Sequence, residues 1–167
     1  KIKAVAQEIE AKLASEEVKK NWPPKEYYTT FHVLAGMMLG FFGAASSLLF
    51  NIVGSVIVNQ HPLQLIRIYL TFPLGEKALS IESGATLALG CCLYLATGMV
   101  LGIPFHLVLS RFFDKSSTLI RLGVVTAMGI GLWLLNFYVL LSWLQPVFFG
   151  GNWIVAMIPW WVAALTH

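Results

Sequence analysis

The chain has 167 residues, of which 57 % are hydrophobic and only 11 % are charged, and its formal net charge is +3. Soluble domains carry about 25 % charged residues, so this composition excludes an ordinary soluble domain and indicates an integral membrane protein. The basic residues are interleaved with acidic ones and form no continuous stripe, which argues against nucleic acid as a partner. The length suits one bundle of three or four helices, so the predicted fold class is all-α.

Residues 1–26 are the polar part of the chain, and we expect a cytoplasmic amphipathic helix followed by a linker. Acidic and basic side chains alternate over residues 1–20. Apolar residues recur there at spacings of three and four, as on one face of a helix: Ile2, Val5, Ile9 and Leu13. Pro23 and Pro24 predict the end of this helix, because proline removes a backbone donor and restricts the residue before it.

Residues 27–167 are predicted to form a single membrane domain with three spanning helices. About twenty consecutive apolar residues cross the hydrocarbon core of a bilayer. Three runs exceed this length, at about 31–58, 83–113 and 118–145. Residues 62–73 are too few to span and carry Arg67 in their middle, so we expect an interfacial helix between the first two spans.

The C-terminal segment 153–167 leaves two alternatives open. It is too short to cross a bilayer alone, and Pro159 interrupts it next to Trp160 and Trp161. Tryptophan is enriched at membrane–water interfaces, which favours a helix lying along the outer surface. The absence of a helix-terminating residue at its end instead favours the first part of a fourth helix. We prefer the second interpretation.

The distribution of lysine and arginine predicts the orientation in the membrane. Six of these residues precede the first span and three lie between Arg111 and Arg121, against two in the connection between the first and second spans. Basic residues accumulate in cytoplasmic loops. The N-terminus is therefore expected in the cytoplasm, and we expect a bacterial inner membrane protein.

Each predicted span carries small residues four positions apart, a pattern that lets helices approach closely in membranes. These predicted helix-packing residues are Gly36, Gly40 and Ala44, then Gly98 and Gly102, then Gly123, Ala127 and Gly131. The first two spans run in opposite directions. Docking their stripes face to face would place Gly36 against Gly102 and His32 against His106.

His32 and His106 are the two candidate ligand residues. Facing imidazoles on two helices can serve as axial ligands of a b-type haem, so one hypothesis is a tetrapyrrole-binding protein carrying haem or chlorophyll. The alternative is that each histidine makes structural hydrogen bonds, and the glycine stripes favour it because they draw the two backbones together. We accordingly expect no cofactor on this chain and no metal site.

The function predicted from the sequence is that of a non-catalytic accessory subunit. No catalytic or metal-binding motif is present, and no carboxylate, lysine or arginine occupies the centre of a span, as transport usually requires. We expect larger integral membrane subunits and lipids as partners, within a respiratory or photosynthetic electron-transfer assembly. The alternatives are the tetrapyrrole protein, and a small channel or lipid-handling protein, which would need a polar path.

Overall fold

The structure is a computed structural model that describes residues 2–20 and 25–166, with the side chains of residues 3–16 and 28–164. All regular elements within these residues are helical, and a 3-10 helix at Gly75–Ser80 follows the third. The predicted break at residues 21–24 lies outside the described residues. We number the helices in chain order: α1 (Ile2–Lys20), α2 (Lys25–Ile57), α3 (Gln64–Leu74), α4 (Ala85–Phe112), α5 (Thr118–Phe149), α6 (Trp153–Met157) and α7 (Trp160–Thr166).

Three helices are long and apolar enough to cross a membrane, which confirms the prediction of an all-α membrane protein. They are α4, α5 and the Tyr28–Ile57 part of α2. At 1.5 Å per residue, even the 28 residues of α4 extend about 42 Å, more than the roughly 30 Å of a hydrocarbon core. Helix α2 begins at Lys25, before the predicted start of the span at residue 31. The polar residues 25–30 belong to the same helix as the apolar span.

The third span extends slightly beyond its predicted end at about residue 145. Pro146 lies inside α5, which continues to Phe149. Proline removes one backbone donor, which membrane helices tolerate. The segment Leu135–Leu141, before Pro146 in the same helix, is a π-helix. Helix α5 ends instead at Gly150, whose φ of 73° is left-handed and whose N–H donates to the Pro146 carbonyl at 3.1 Å.

The short helix α3 is the most buried element of the described structure. Ile66 and Thr71 have no exposed surface, and Ile68 and Leu70 have 5 % or less. One side of α3 packs with α2 and α4, in a cluster of Leu48, Ile66, Leu70, Ala78 and Leu87. The other side packs with α5 and the C-terminal helices, in a cluster of Ile68, Phe137, Ile154 and Ala163. Helix α3 therefore joins the α2–α4 pair to α5.

The C-terminal segment forms two short helices, α6 and α7, that fold back along α5. They are separated at Ile158 and Pro159, where Ile158 is extended. Ala163 of α7 is 1 % exposed and packs in one cluster with Phe137. Phe137 precedes the end of α5 at Phe149 by about 18 Å of helix. The tail thus contacts the middle of the third span.

Helix α1 forms where the sequence predicts a helix, and its described side chains are exposed. Val5, Ile9 and Leu13, three residues of the predicted apolar face, are 55 %, 52 % and 57 % exposed. Lys12 and Glu8 form an ion pair at 3.0 Å along the helix, at the i,i+4 spacing that supports exposed helices.

Candidate functional site

Helices α2 and α4 touch through their glycines. A Cβ atom built on Gly36 would lie 2.8 Å from the Ile103 Cα and 3.0 Å from the Gly102 carbonyl oxygen. One built on Gly40 would overlap the Gly98 carbonyl oxygen and lie 2.9 Å from the Gly102 Cα. Real Cβ atoms do not approach backbone atoms this closely, so only glycine permits this contact without a shift of the helices.

The same contact brings His32 of α2 next to His106 of α4. The His32 Nδ1 and the His106 Nε2 are 3.2 Å apart, within hydrogen-bonding distance, and both residues are partly buried. The ring centroids lie 5.3 Å apart at an interplanar angle of 40°. Phe31 packs edge-on against the His32 ring at a centroid distance of 5.5 Å. The two imidazoles therefore face one another directly at one end of the glycine contact.

This geometry does not fit a tetrapyrrole held between the two rings. Axial imidazoles of a haem leave about 4 Å between their ligating nitrogens, with the macrocycle lying between the rings. Here the nitrogens are 3.2 Å apart. The backbones also touch one turn away, where a Cβ on Gly36 would lie 2.8 Å from the Ile103 Cα. A macrocycle between the rings would require α2 and α4 to separate.

The small residues of α5 are arranged differently from those of α2 and α4. No atom of another part of the described chain lies within 4 Å of a Cβ built on Gly123 or Gly131. Gly123, Ala127 and Gly131 are all exposed. We call this exposed surface, defined by these three residues, the α5 small-residue face. The structure thus brings together the small residues of the first two spans and leaves those of the third without a helix against them.

A buried polar network that the sequence analysis missed connects α3, α5 and α6. The Gln145 side chain has no exposed surface. Its Nε2 donates to the Thr71 Oγ1 at 2.9 Å, and its Oε1 accepts from the Ile154 N–H at 3.0 Å. The Thr71 hydroxyl in turn donates to the Ile68 carbonyl at 2.5 Å. A glutamine near a predicted helix end resembles an ordinary surface residue, so no sequence pattern singles it out.

The π-helix in α5 explains how Gln145 reaches this network. The inward-facing residues of this part of α5 are four positions apart: Trp133, Phe137, Leu141 and Gln145. In an α-helix of 3.6 residues per turn, each step of four drifts by about 40° around the axis. A π-helix has about 4.4 residues per turn and drifts the opposite way, so the two contributions nearly cancel. The π-helix therefore keeps all four residues on one face.

A second set of polar contacts connects the start of α3 to the segment before α4. Arg67 contacts the Glu82 carboxylate at 3.3 Å, and the His61 Nε2 lies 2.9 Å from the Glu82 carbonyl oxygen. The Glu82 side chain is 75 % exposed, so this ion pair contributes little to stability. Among the described residues, no three histidine, cysteine, aspartate or glutamate side chains come together as a metal-ligand set.

Comparisons with protein-family models, with curated proteins and with solved structures give no match to this chain. Two features of the described structure bear on function: the closed glycine contact with its histidine pair, and the open α5 small-residue face.

Proposed function

We propose that this chain is a non-catalytic accessory subunit of a multi-subunit membrane complex, held to a larger integral membrane subunit through the α5 small-residue face. The observation that carries the proposal is the contrast between the glycine stripes. The glycines of α2 and α4 pack against one another. By contrast, a Cβ atom built on Gly123 or Gly131 would meet no atom of the described chain within 4 Å. Small residues at spacings of four support close helix approach in membranes, where lipid gives no hydrophobic drive for association.

The exposed helix α1 supports the same proposal. Val5, Ile9 and Leu13 are more than half exposed. An apolar row of this kind on a charged helix suits contact with a partner surface or with the membrane surface. The excess of basic residues in the N-terminal segment and the Arg111–Arg121 connection supports a cytoplasmic position for α1, and the membrane that we propose is a bacterial inner membrane.

The class of complex that we propose is an electron-transfer assembly of the respiratory or photosynthetic kind. Such assemblies combine large redox subunits with small helical ones, and this chain has the size and the three apolar helices of a small subunit. In this role the chain needs no redox group of its own, and its partners carry the cofactors.

Substitution of the α5 small-residue face tests the proposal. The variant Gly123→Leu/Gly131→Leu fills the face at two positions where a Cβ atom meets no atom of the described chain within 4 Å. Gly43→Leu is the matched control, because Gly43 is another membrane glycine with open space above it but lies outside the stripes. We expect the double variant to lose its partner subunits during purification from native membranes and the control to retain them. Equal retention of partners by both variants would contradict the proposal.

A further inference from the structure

We propose that His32 and His106 form a two-imidazole binding site for a divalent cation of the zinc type. The site would be held by the His32 Nδ1 and the His106 Nε2. Zinc binds imidazole nitrogen at 2.0–2.1 Å, and a tetrahedral angle then separates two such nitrogens by about 3.3 Å. The observed separation is 3.2 Å. The same tetrahedral arrangement puts the two ring centroids about 5.2 Å apart, and they lie 5.3 Å apart here.

The two rings are held in this position by contacts that do not depend on a metal. The glycine contact between α2 and α4 fixes the positions of the two backbones. Gly36 lies close to the His106 Cβ, and this fixes the base of the His106 side chain. The edge-on contact of Phe31 restricts the His32 ring. Ligands that are already placed by packing cost little to order when a metal binds, and this raises affinity.

The proton balance of binding is simple. In the hydrogen-bonded pair, one of the two facing nitrogens carries a hydrogen and the other accepts it. A metal needs the lone pair of both, so the donating histidine must change tautomer and carry its hydrogen on its other ring nitrogen. Both imidazoles remain neutral, and no net proton is released.

The donor set determines the class of metal. Imidazole suits zinc, copper and nickel, whereas magnesium and calcium require oxygen ligands. No third side chain of a ligating type joins the pair among the described residues. Two positions of a tetrahedral ion are then left for water or for groups outside this chain. The inference does not depend on the proposed subunit role, because the isolated chain supplies both imidazoles.

Titration of the purified full chain in detergent with Zn²⁺, followed by calorimetry, tests the inference. We expect one Zn²⁺ per chain and a loss of affinity of about tenfold or more in His32→Gln and in His106→Gln. Glutamine keeps a hydrogen-bonding side chain at each position, so it can replace the hydrogen bond between His32 and His106 that joins α2 to α4. His61→Gln is the matched control, because it removes a histidine next to a carboxylate elsewhere in the chain, and its affinity should equal that of the wild type.

A second measurement identifies the ligands. Cu²⁺ substituted into the wild-type protein should give an electron paramagnetic resonance spectrum with hyperfine coupling to two imidazole nitrogens, and His106→Gln should lose one of them. Absence of saturable Zn²⁺ binding to the folded wild-type chain would overturn the inference and leave the pair as a hydrogen bond. Unchanged affinity in both glutamine variants would overturn it as well.

Discussion

Gln145 of α5 donates a hydrogen bond to Thr71 of α3 across 2.9 Å, and neither side chain has any exposed surface. Through its other amide atom, Gln145 also accepts from the Ile154 N–H of α6. One side chain therefore ties together the third span, the central short helix and the C-terminal segment. Because every partner is buried, the loss of any member leaves another polar group without water to replace it.

Replacement of Gln145 should therefore destabilise the fold. Gln145→Leu keeps most of the side-chain volume but leaves the buried Ile154 N–H without an acceptor. We expect a loss of about 1–3 kcal/mol in the free energy of unfolding, measured by tryptophan fluorescence during titration of mixed micelles with a denaturing detergent. Ser142→Ala is the control, because its hydroxyl bonds only within α5 and is exposed. Equal stability of Gln145→Leu and the wild type would show that the network contributes nothing.

A second prediction compares two glycines of α2. Gly40→Ala places a methyl group against the Gly98 carbonyl of α4, whereas Gly43→Ala places it in open space. Overpacking a close contact costs about 1–3 kcal/mol, while replacing an exposed helical glycine by alanine stabilises by about 0.5–1 kcal/mol. We expect the two substitutions to shift the free energy of unfolding in opposite directions. Shifts of the same sign and size would contradict the close contact between α2 and α4.

The glycine contact and the histidine pair illustrate what the sequence could predict. Residues four apart on two antiparallel helices lie on one face of each, so a single docking register relates Gly36 to Gly102 and His32 to His106. The structure places both pairs in contact. The spans themselves could be predicted from the length of their apolar runs. A helix needs about twenty consecutive apolar residues to cross the bilayer, and few other structures need so long an apolar run.

The central position of α3 could not be predicted in the same way. Eleven residues that include Arg67 have the composition of a surface helix, and their burial depends on contacts with residues distant in sequence. The role of Gln145 was hidden for a different reason. A search for a period of 3.6 assumes a continuous α-helix, whereas the π-helix at Leu135–Leu141 lengthens the period locally to about 4.4 residues.

The π-helix leads to a third prediction. If it absorbs one extra residue, deletion of Leu140 should turn the segment into continuous α-helix while leaving Gln145 on the same face as Trp133. We therefore expect the deletion variant to retain a stability within about 1 kcal/mol of the wild type, well above that of Gln145→Leu. Leu140 is partly exposed at 37 %, so its own packing contributes little. A deletion variant as unstable as Gln145→Leu would contradict this role of the π-helix.

The measurement to make first is the subunit composition of the material that purifies with this chain from its native membranes in a mild detergent, determined by mass spectrometry. The proposed accessory role predicts larger integral membrane subunits in a fixed stoichiometry with the chain. It also predicts that Gly123→Leu/Gly131→Leu removes them while Gly43→Leu does not. A single, homogeneous species containing this chain alone, from the wild-type protein, would contradict the proposal.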